Sequence, residues 1–244
     1  METALYSEMA KVEGEHWWFR GRRAVILDVL RRHARPGGVL LDVGLGTGFN
    51  AALFKKMGFA VEGIESAPEA VAIARRLAPD VRIVEPIFPS ATLPPEKYSV
   101  IAMLDVLEHL ENDAEALRCV ARVLKPGGVV LITVPAFMFL WTRHDELAHH
   151  YRRYRRGELT AKLRAAGLEP QLLSYYNFFL FPAVVFVRLV TKALGKQKEG
   201  SDFDATPGFL NAPLAWLFGF ERFLLRFASL PFGVSLIAVA RKLP

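Results

Sequence analysis

The spacing of apolar residues switches between helical and strand periods along the chain. Residues 22–35 place Val25, Ile26, Val29 and Leu30 on one helical face and Arg22, Arg23, Arg31 and Arg32 on the other, and Pro36-Gly37-Gly38 stops this helix. Val39–Val43 is a continuous apolar run broken only by Asp42, as a buried strand should be, with glycines directly behind it. Asn50 to Met57 suits a helix ended by Gly58. Ala60–Glu65 reads as a second strand, and Ser66-Ala67-Pro68-Glu69 opens the next helix with a capping-box pattern. Val81–Val84, Tyr98–Leu104 and Val129–Val134 read as the third to fifth strands. The stripe Leu117, Val120, Ala121 and Leu124 predicts a helix closed by Pro126-Gly127-Gly128. Leu159–Ala166 and Leu168–Tyr175 give a further helix and strand, and Val234–Ala240 a last β-like run.

Strands alternating with helices predict an α/β fold with a parallel sheet covered on both faces. Residues 177–232 interrupt that rhythm. They separate the last two strands, where a hairpin loop takes only about 2–5 residues. The stretch is apolar and aromatic, with Phe178, Phe179, Phe181, Phe186, Phe209, Trp216, Phe218, Phe220, Phe223 and Phe227, and Gly195 to Gly208 within it is polar. The predicted organisation is an N-terminal helical lid at 1–36, a core at 37–176 and 233–244, and a helical insertion at 177–232 that serves as a substrate cap, a membrane-docking element or a dimer interface.

Composition narrows the partners. A net charge of +6 and a pI of about 9.5 fit nucleic acid, an anionic membrane surface or a phosphorylated substrate. The aromatics concentrate in the insertion and not in the basic stretches, which argues against a nucleic-acid groove. Arg152, Arg153, Arg155 and Arg156 form the strongest basic cluster, a candidate for phosphate or anionic lipid. The lone Cys119 excludes a disulfide within the chain and predicts a reducing compartment. The N-terminus carries acids and no apolar signal core, so a cytoplasmic location is expected. The apolar run Phe178–Val187 contains Pro182 and is short of the roughly 20 residues a spanning helix needs, which leaves a peripheral association with the inner membrane face open.

The candidate chemistry begins at Asp42-Val43-Gly44-Leu45-Gly46-Thr47-Gly48. Glycine lets the backbone turn sharply and lets a ligand approach without a Cβ in the way, and the helix behind it offers unpaired N–H groups. The spacing Gly44-x-Gly46-x-Gly48 puts Phe49 where a dinucleotide fingerprint has its third glycine. Glu65 ends the next strand, where a carboxylate accepts ribose hydroxyls. An NAD(P)-dependent oxidoreductase and a non-catalytic membrane-associated module remain the alternatives at this point.

The segments LLDVGLGTG at 40–48, VEGIES at 61–66, YSVIAMLDVLEHL at 98–110 and LKPGGVVLITVP at 124–135 run in the order of the class I methyltransferases that use S-adenosylmethionine (SAM), and the chain resembles that family. The resemblance implies a Rossmann-like, seven-stranded, mostly parallel sheet with helices on both faces and the helical insertion before the last strand. It implies SAM as cofactor, held by Asp42, Gly44, Gly46, Gly48, Glu65, Ser66 and Leu104, with Arg20 meeting the SAM carboxylate and Trp17, Trp18 and Phe19 shielding it. The family's common acid after the third strand is missing, and Phe88 is the candidate contact for adenine.

At the end of the fourth strand, Asp105, Glu108 and His109 stand nearest the expected position of the transferred methyl. Their spacing, with His150 from a later loop, resembles the metal site of ubiquinone-pathway O-methyltransferases and small-RNA 2′-O-methyltransferases. The four are candidates for managing an acceptor's proton, with His109 as base or with a divalent metal. His144, Asp145, His149 and Arg152 are candidate linings of the acceptor pocket. Looser likeness to bacterial methyltransferases of glycolipid and cell-envelope pathways points to oxygen on an amphipathic, lipid-linked or glycan small molecule.

Overall fold

The computed structural model describes residues 3–193 and 208–243. Two helices, α1 (Thr3–Val12) and α2 (Trp17–His33), precede β1 (Val39–Val43). Then come α3 (Phe49–Lys56), β2 (Ala60–Ile64), α4 (Pro68–Leu77), β3 (Arg82–Glu85), β4 (Tyr98–Leu104), α5 (Asp113–Val123) and β5 (Leu124–Pro135). A short α6 (Arg143–Leu147), α7 (Arg156–Ala165) and β6 (Leu168–Tyr176) lead to α8 (Phe181–Ala193), α9 (Asn211–Leu224) and β7 (Ser235–Lys242). The predicted polar stretch Gly195 to Gly208 lies, apart from its last residue, outside the described residues.

The seven strands form one sheet in the order β3-β2-β1-β4-β5-β7-β6. The β1–β2, β2–β3, β1–β4 and β4–β5 pairs are parallel, and β7 runs antiparallel to both β5 and β6. This is the Rossmann-like, mostly parallel sheet the sequence implied. Strand alternation sorts its residues onto two faces. Leu41, Val43, Ile101, Met103, Val130 and Ile132 pack with Leu117 and Val120 of α5 and Leu159 and Leu163 of α7. Leu40, Val100, Ala102 and Leu131 pack on the other side with Val25, Ile26 and Val29 of α2, Phe54 of α3 and Phe218 of α9.

Three local readings need correction. Helix α2 starts at Trp17, because the His16 side chain caps it by accepting from the Trp18 N–H. The turn before α4 is not a capping box: its N-cap is Ala67, and the Ser66 and Ala67 N–H groups go to Glu65 instead. Leu124 does not belong to the helix stripe of α5. It already pairs with Tyr98 in the sheet, and Pro126-Gly127-Gly128 forms an irregularity inside β5 with Gly127 at φ +75°.

The described parts of residues 177–232 are anchored by α9. Phe218 enters the α2 face at Gly21, where a Cβ would come within 2.6 Å of it. Asn211 Oδ1 accepts from the Trp17 N–H at 3.0 Å. Buried Glu221 accepts from the Phe178 and Phe179 N–H groups at 2.7 and 3.2 Å, tying the chain ahead of α8 to α9. Among the described residues, no helix is long and apolar enough to cross a membrane.

Candidate active site

The carboxyl ends of the central strands open into a cleft of about 1640 Å³, the place where open α/β sheets take ligands. Its floor is the glycine loop. Gly44, Gly46 and Gly48 have φ of +70°, +57° and +82°, which side chains resist. A methyl on Gly44 would lie 2.6 Å from Val106 Cγ2. The Gly44 and Leu45 N–H groups donate to the Ile64 carbonyl at 2.9 Å, fixing the loop to the end of β2. The Glu65 carboxylate is clamped by three backbone donors, Gly46 N–H at 2.8 Å and Ser66 and Ala67 N–H at 2.9 Å. It faces the cleft as a fixed acceptor, with lone pairs left for a diol.

Gly44, Gly46, Glu65, Ser66 and Leu104 line this cleft, and Phe88 stands at its far side. Asp42 and Gly48 do not line it. Asp42 lies buried behind the loop, where loss of water pushes its carboxyl well above the ordinary range against the pull of Arg22. Gly48 is the N-cap of α3, and a Cβ there would sit 3.1 Å from Ala74 of α4, so its task is close helix packing.

Arg20 is exposed and outside the cleft, which corrects the expected carboxylate contact. The inward stripe of α2 is Phe19, Arg22, Arg23 and Ile26, so the two arginines expected on the polar face are buried beneath it. Arg22 Nη2 meets Asp105 Oδ2 at 2.7 Å and donates to Thr133 Oγ1 at 3.0 Å. Burial alone would weaken its charge, but Asp105, Tyr176 and Glu108 together outweigh it and hold the guanidinium above its ordinary range. Arg23 lies 4.3 Å over the Phe49 ring. Trp17, Trp18 and Phe19 do line the cleft.

Helix α1 supplies residues the sequence reading missed. Tyr6 and Met9 of this helix, with Glu13 just past its end, line the cleft at i, i+3, i+7 spacing, and that amphipathic pattern was the available signal. Buried Glu13 accepts from Thr47 Oγ1 of the glycine loop. Burial, followed by the charges of Glu65 and Glu69, pushes the Tyr6 hydroxyl up to about 12.

Glu108, His109 and His150 converge deeper in, with ligating atoms within 4.8 Å of one another. Glu108 is fully buried, and neither carboxylate oxygen has a partner among the described residues. Burial, then the nearby Asp105 charge, drives its carboxyl well up. Burial, then His150, pushes His109 down to about 4, and its ring bonds to the Ala148 backbone. The His109 and His150 rings meet edge to face at 4.5 Å. Asp105 is absent from this group. At φ +59° its carboxylate turns toward Arg22 and accepts from Thr133 Oγ1 at 2.9 Å. The four expected residues therefore divide into a cluster of three and an ion pair.

Behind His150 stands Asp145. It accepts from His150 Nδ1 at 2.9 Å and from Arg153 Nε and Nη2, both at 2.8 Å. These donors outweigh burial and hold its carboxyl below the ordinary range. Asp145 thus orients His150, with Nε2 left for the cleft, and is not itself an acceptor contact. His144 lines the cleft; His149, at φ +57°, is exposed and outside it. The basic cluster also splits. Arg153 is buried on Asp145, Arg152 pairs with Asp113 at 2.9 Å, and Arg155 and Arg156 are exposed.

A glycine cradle under a clamped carboxylate, at the carboxyl ends of a sheet of this order, defines a class I SAM-dependent methyltransferase. Residues 17–173 match a family described as a methyltransferase domain, and the chain belongs to that family. It is 31% identical over 164 residues to a ubiquinone biosynthesis O-methyltransferase of Xanthomonas campestris pv. campestris, spanning 60% of this chain and 69% of that one. It is also 31% identical over 157 residues to a probable S-adenosylmethionine-dependent methyltransferase of Mycolicibacterium smegmatis, spanning 64% of this chain and 60% of that one. Among solved structures, the methyltransferase bound to the Haloferax volcanii Trm112 activator superposes with a TM-score of 0.64 at 18% identity, over 99% of this chain and 94% of that one. The protein binds SAM and transfers its methyl group to a small-molecule acceptor.

Proposed function

We propose that the acceptor atom is a hydroxyl oxygen on an amphipathic, lipid-linked or glycan small molecule, with residues 177–232 as the cap over it. The observation that carries this is the Glu108–His109–His150 cluster lining a cleft with apolar walls. Met138, Phe139 and Leu140 form one wall, and Leu180, Ala183 and Val184 from the α8 side form another. Such walls suit an apolar body, while the cluster suits one polar end.

SAM supplies an electrophilic methyl on a sulfonium, and a neutral hydroxyl attacks it poorly unless its proton has somewhere to go. His109, held neutral by burial, accepts that proton through the ring nitrogen not engaged with Ala148. His150 and Glu108 stay beside it, with His150 aimed by Asp145. The Glu65 clamp and Gly44 hold the donor's diol and backbone-facing side. The relationship to O-methyltransferases supports the choice of oxygen.

A second reading rests on the same cluster. Two orphaned, buried carboxylate oxygens beside two imidazoles are the donor set of a divalent cation, and Glu108, His109 and His150 would hold it. A cation there would lower the hydroxyl's pKa directly. Methyl-tritiated SAM incubated with cell extracts tests both. The proposal expects label in an organic-extractable, alkali-stable product, and a drop of about 10²–10⁴-fold with His109→Gln while SAM still binds. Label confined to nucleic acid, protein or free amines would overturn it. Loss of transfer on chelation, restored by added metal, selects the cation; transfer unchanged by chelation selects the base.

A further inference from the structure

The helices of residues 177–232 carry an apolar surface that the cleft does not use. None of the side chains from Phe181 to Thr191 in α8 is fully buried. Some face the cleft, while Phe186 is 69% exposed. On α9 and its flanks, Phe209, Pro213, Trp216, Phe220, Phe223 and Phe227 follow each other at alternating steps of four and three, which places them in one stripe. Phe209, Trp216 and Phe227 are 80%, 68% and 88% exposed. The face opposite this stripe, Ala215, Phe218, Gly219 and Glu221, is the one packed on the protein.

The stripe is continuous in space. The Trp216 and Phe220 rings lie 5.5 Å apart, and Phe220 and Phe223 5.7 Å. It also connects back to the mouth of the cleft. Phe139 meets Phe181 at 6.5 Å, Phe181 meets Phe232 at 5.2 Å, and Phe232 stacks on Phe178 at 4.6 Å. Phe178 meets Phe179 at 5.3 Å, and Phe179 reaches Phe220 at 6.5 Å. An apolar track thus runs from the site to the exposed ladder.

Among the described residues of α8 and α9, the exposed charge has one sign. Glu221 is the only acid from 208 to 227, and it is buried inward. Residues 178–193 contain no acid. Arg222 and Arg226 lie over the Phe223 ring at 4.7 and 5.3 Å, and Arg226 also pairs with Asp28. Aromatic rings edged by arginines, with no exposed acid among the described residues of α8 and α9, match the headgroup level of an anionic bilayer. A second copy meeting this face symmetrically would set like charges against each other.

We propose that the α9 ladder docks the protein on an anionic lipid bilayer, so that an acceptor with an apolar chain passes from the lipid along the aromatic track to the cleft. The second half of this proposal rests on the amphipathic-acceptor reading; the docking itself does not. Flotation with phosphatidylcholine vesicles, with and without phosphatidylglycerol, tests it, together with tryptophan emission. The protein is expected to float with the anionic vesicles and weakly with the zwitterionic ones, and its emission to shift to the blue. That shift should vanish in Trp216→Phe. Trp216→Ser with Phe223→Ser should lower vesicle partition about 30-fold. Arg222→Gln should lower it about fivefold at low salt and little at high salt. Calorimetry with SAM should give the same affinity for all variants, which shows that the double variant is folded and separates this test from that of the methyltransferase reading. Equal flotation of wild type and double variant, equal flotation with both vesicle types, or no flotation with a dimer that the double variant abolishes, would each overturn the proposal. The last would assign the face to a second copy.

Discussion

Glu221 offers a sharp test of how residues 177–232 are held. It is an acid with no exposed surface, and one of its oxygens, Oε1, accepts from the two N–H groups ahead of α8. Its other oxygen has no partner among the described residues. Burial pushes the carboxyl from 4.5 up to about 7, against the pull of the Phe179, Phe178 and Asn177 backbone groups. A raised folded-state pKa means the folded protein holds the proton more tightly than the unfolded chain. The associated stability is present in full below about pH 4.5 and is lost as pH rises through about 7. A shift of that size corresponds to about 3 kcal/mol between those limits. In Glu221→Gln a neutral carbonyl still serves Phe178 and Phe179, and this pH dependence disappears. Urea unfolding of both proteins at pH 5, 6, 7 and 8 should show the variant gaining on wild type by about 2–3 kcal/mol across the series. Any fixed penalty from the unpaired amide adds the same offset at every pH. A difference that does not change with pH would refute the reasoning, because Glu221 would then ionise as it does in the unfolded chain.

Two further perturbations address the cradle and the packing of α9. Gly44→Ala puts a methyl 2.6 Å from Val106 Cγ2 at φ +70°, so SAM affinity by calorimetry should fall at least about tenfold, with about 1–2 kcal/mol lost from the fold. Wild-type affinity in this variant would show that the loop does not approach the donor. Phe218→Ala empties a site between Gly21, Trp17 and Tyr176, the two rings lying 6.3 and 5.7 Å away; it should cost about 3–5 kcal/mol by chemical unfolding. A loss below about 1 kcal/mol would mean that α9 is not docked on α2.

The sheet was legible because each central strand keeps a strict two-residue alternation or a continuous apolar run between clear stops. Leu40 and Leu41 are both apolar since both faces of the sheet are covered. Where sequence and structure differ, a side chain's type does not report which face it occupies. Arg22 and Arg23 look like the polar side of an amphipathic helix, yet they share the inward stripe with Phe19 and Ile26 because Asp105, Thr133 and Phe49 wait for them there. Asp105 has the spacing of a ligand, but its left-handed backbone and that same arginine turn it away from Glu108. These partners are 83 and 111 residues apart from Arg22 in sequence, so no local pattern reports them. His150 entered through the family resemblance, and the structure places it beside Glu108 and His109, with Asp145 as its partner once α6 is folded.

The chemistry proposed at the Glu108–His109–His150 end of the cleft is oxygen methylation. Its most direct test is carbon-13 NMR of the product made from SAM carrying a labelled methyl group, with organic extract as the acceptor source. A single labelled resonance is expected in the O-methyl region, and it disappears with His109→Gln. A labelled methyl on nitrogen or carbon, or an O-methyl product formed equally well by that variant, would contradict it.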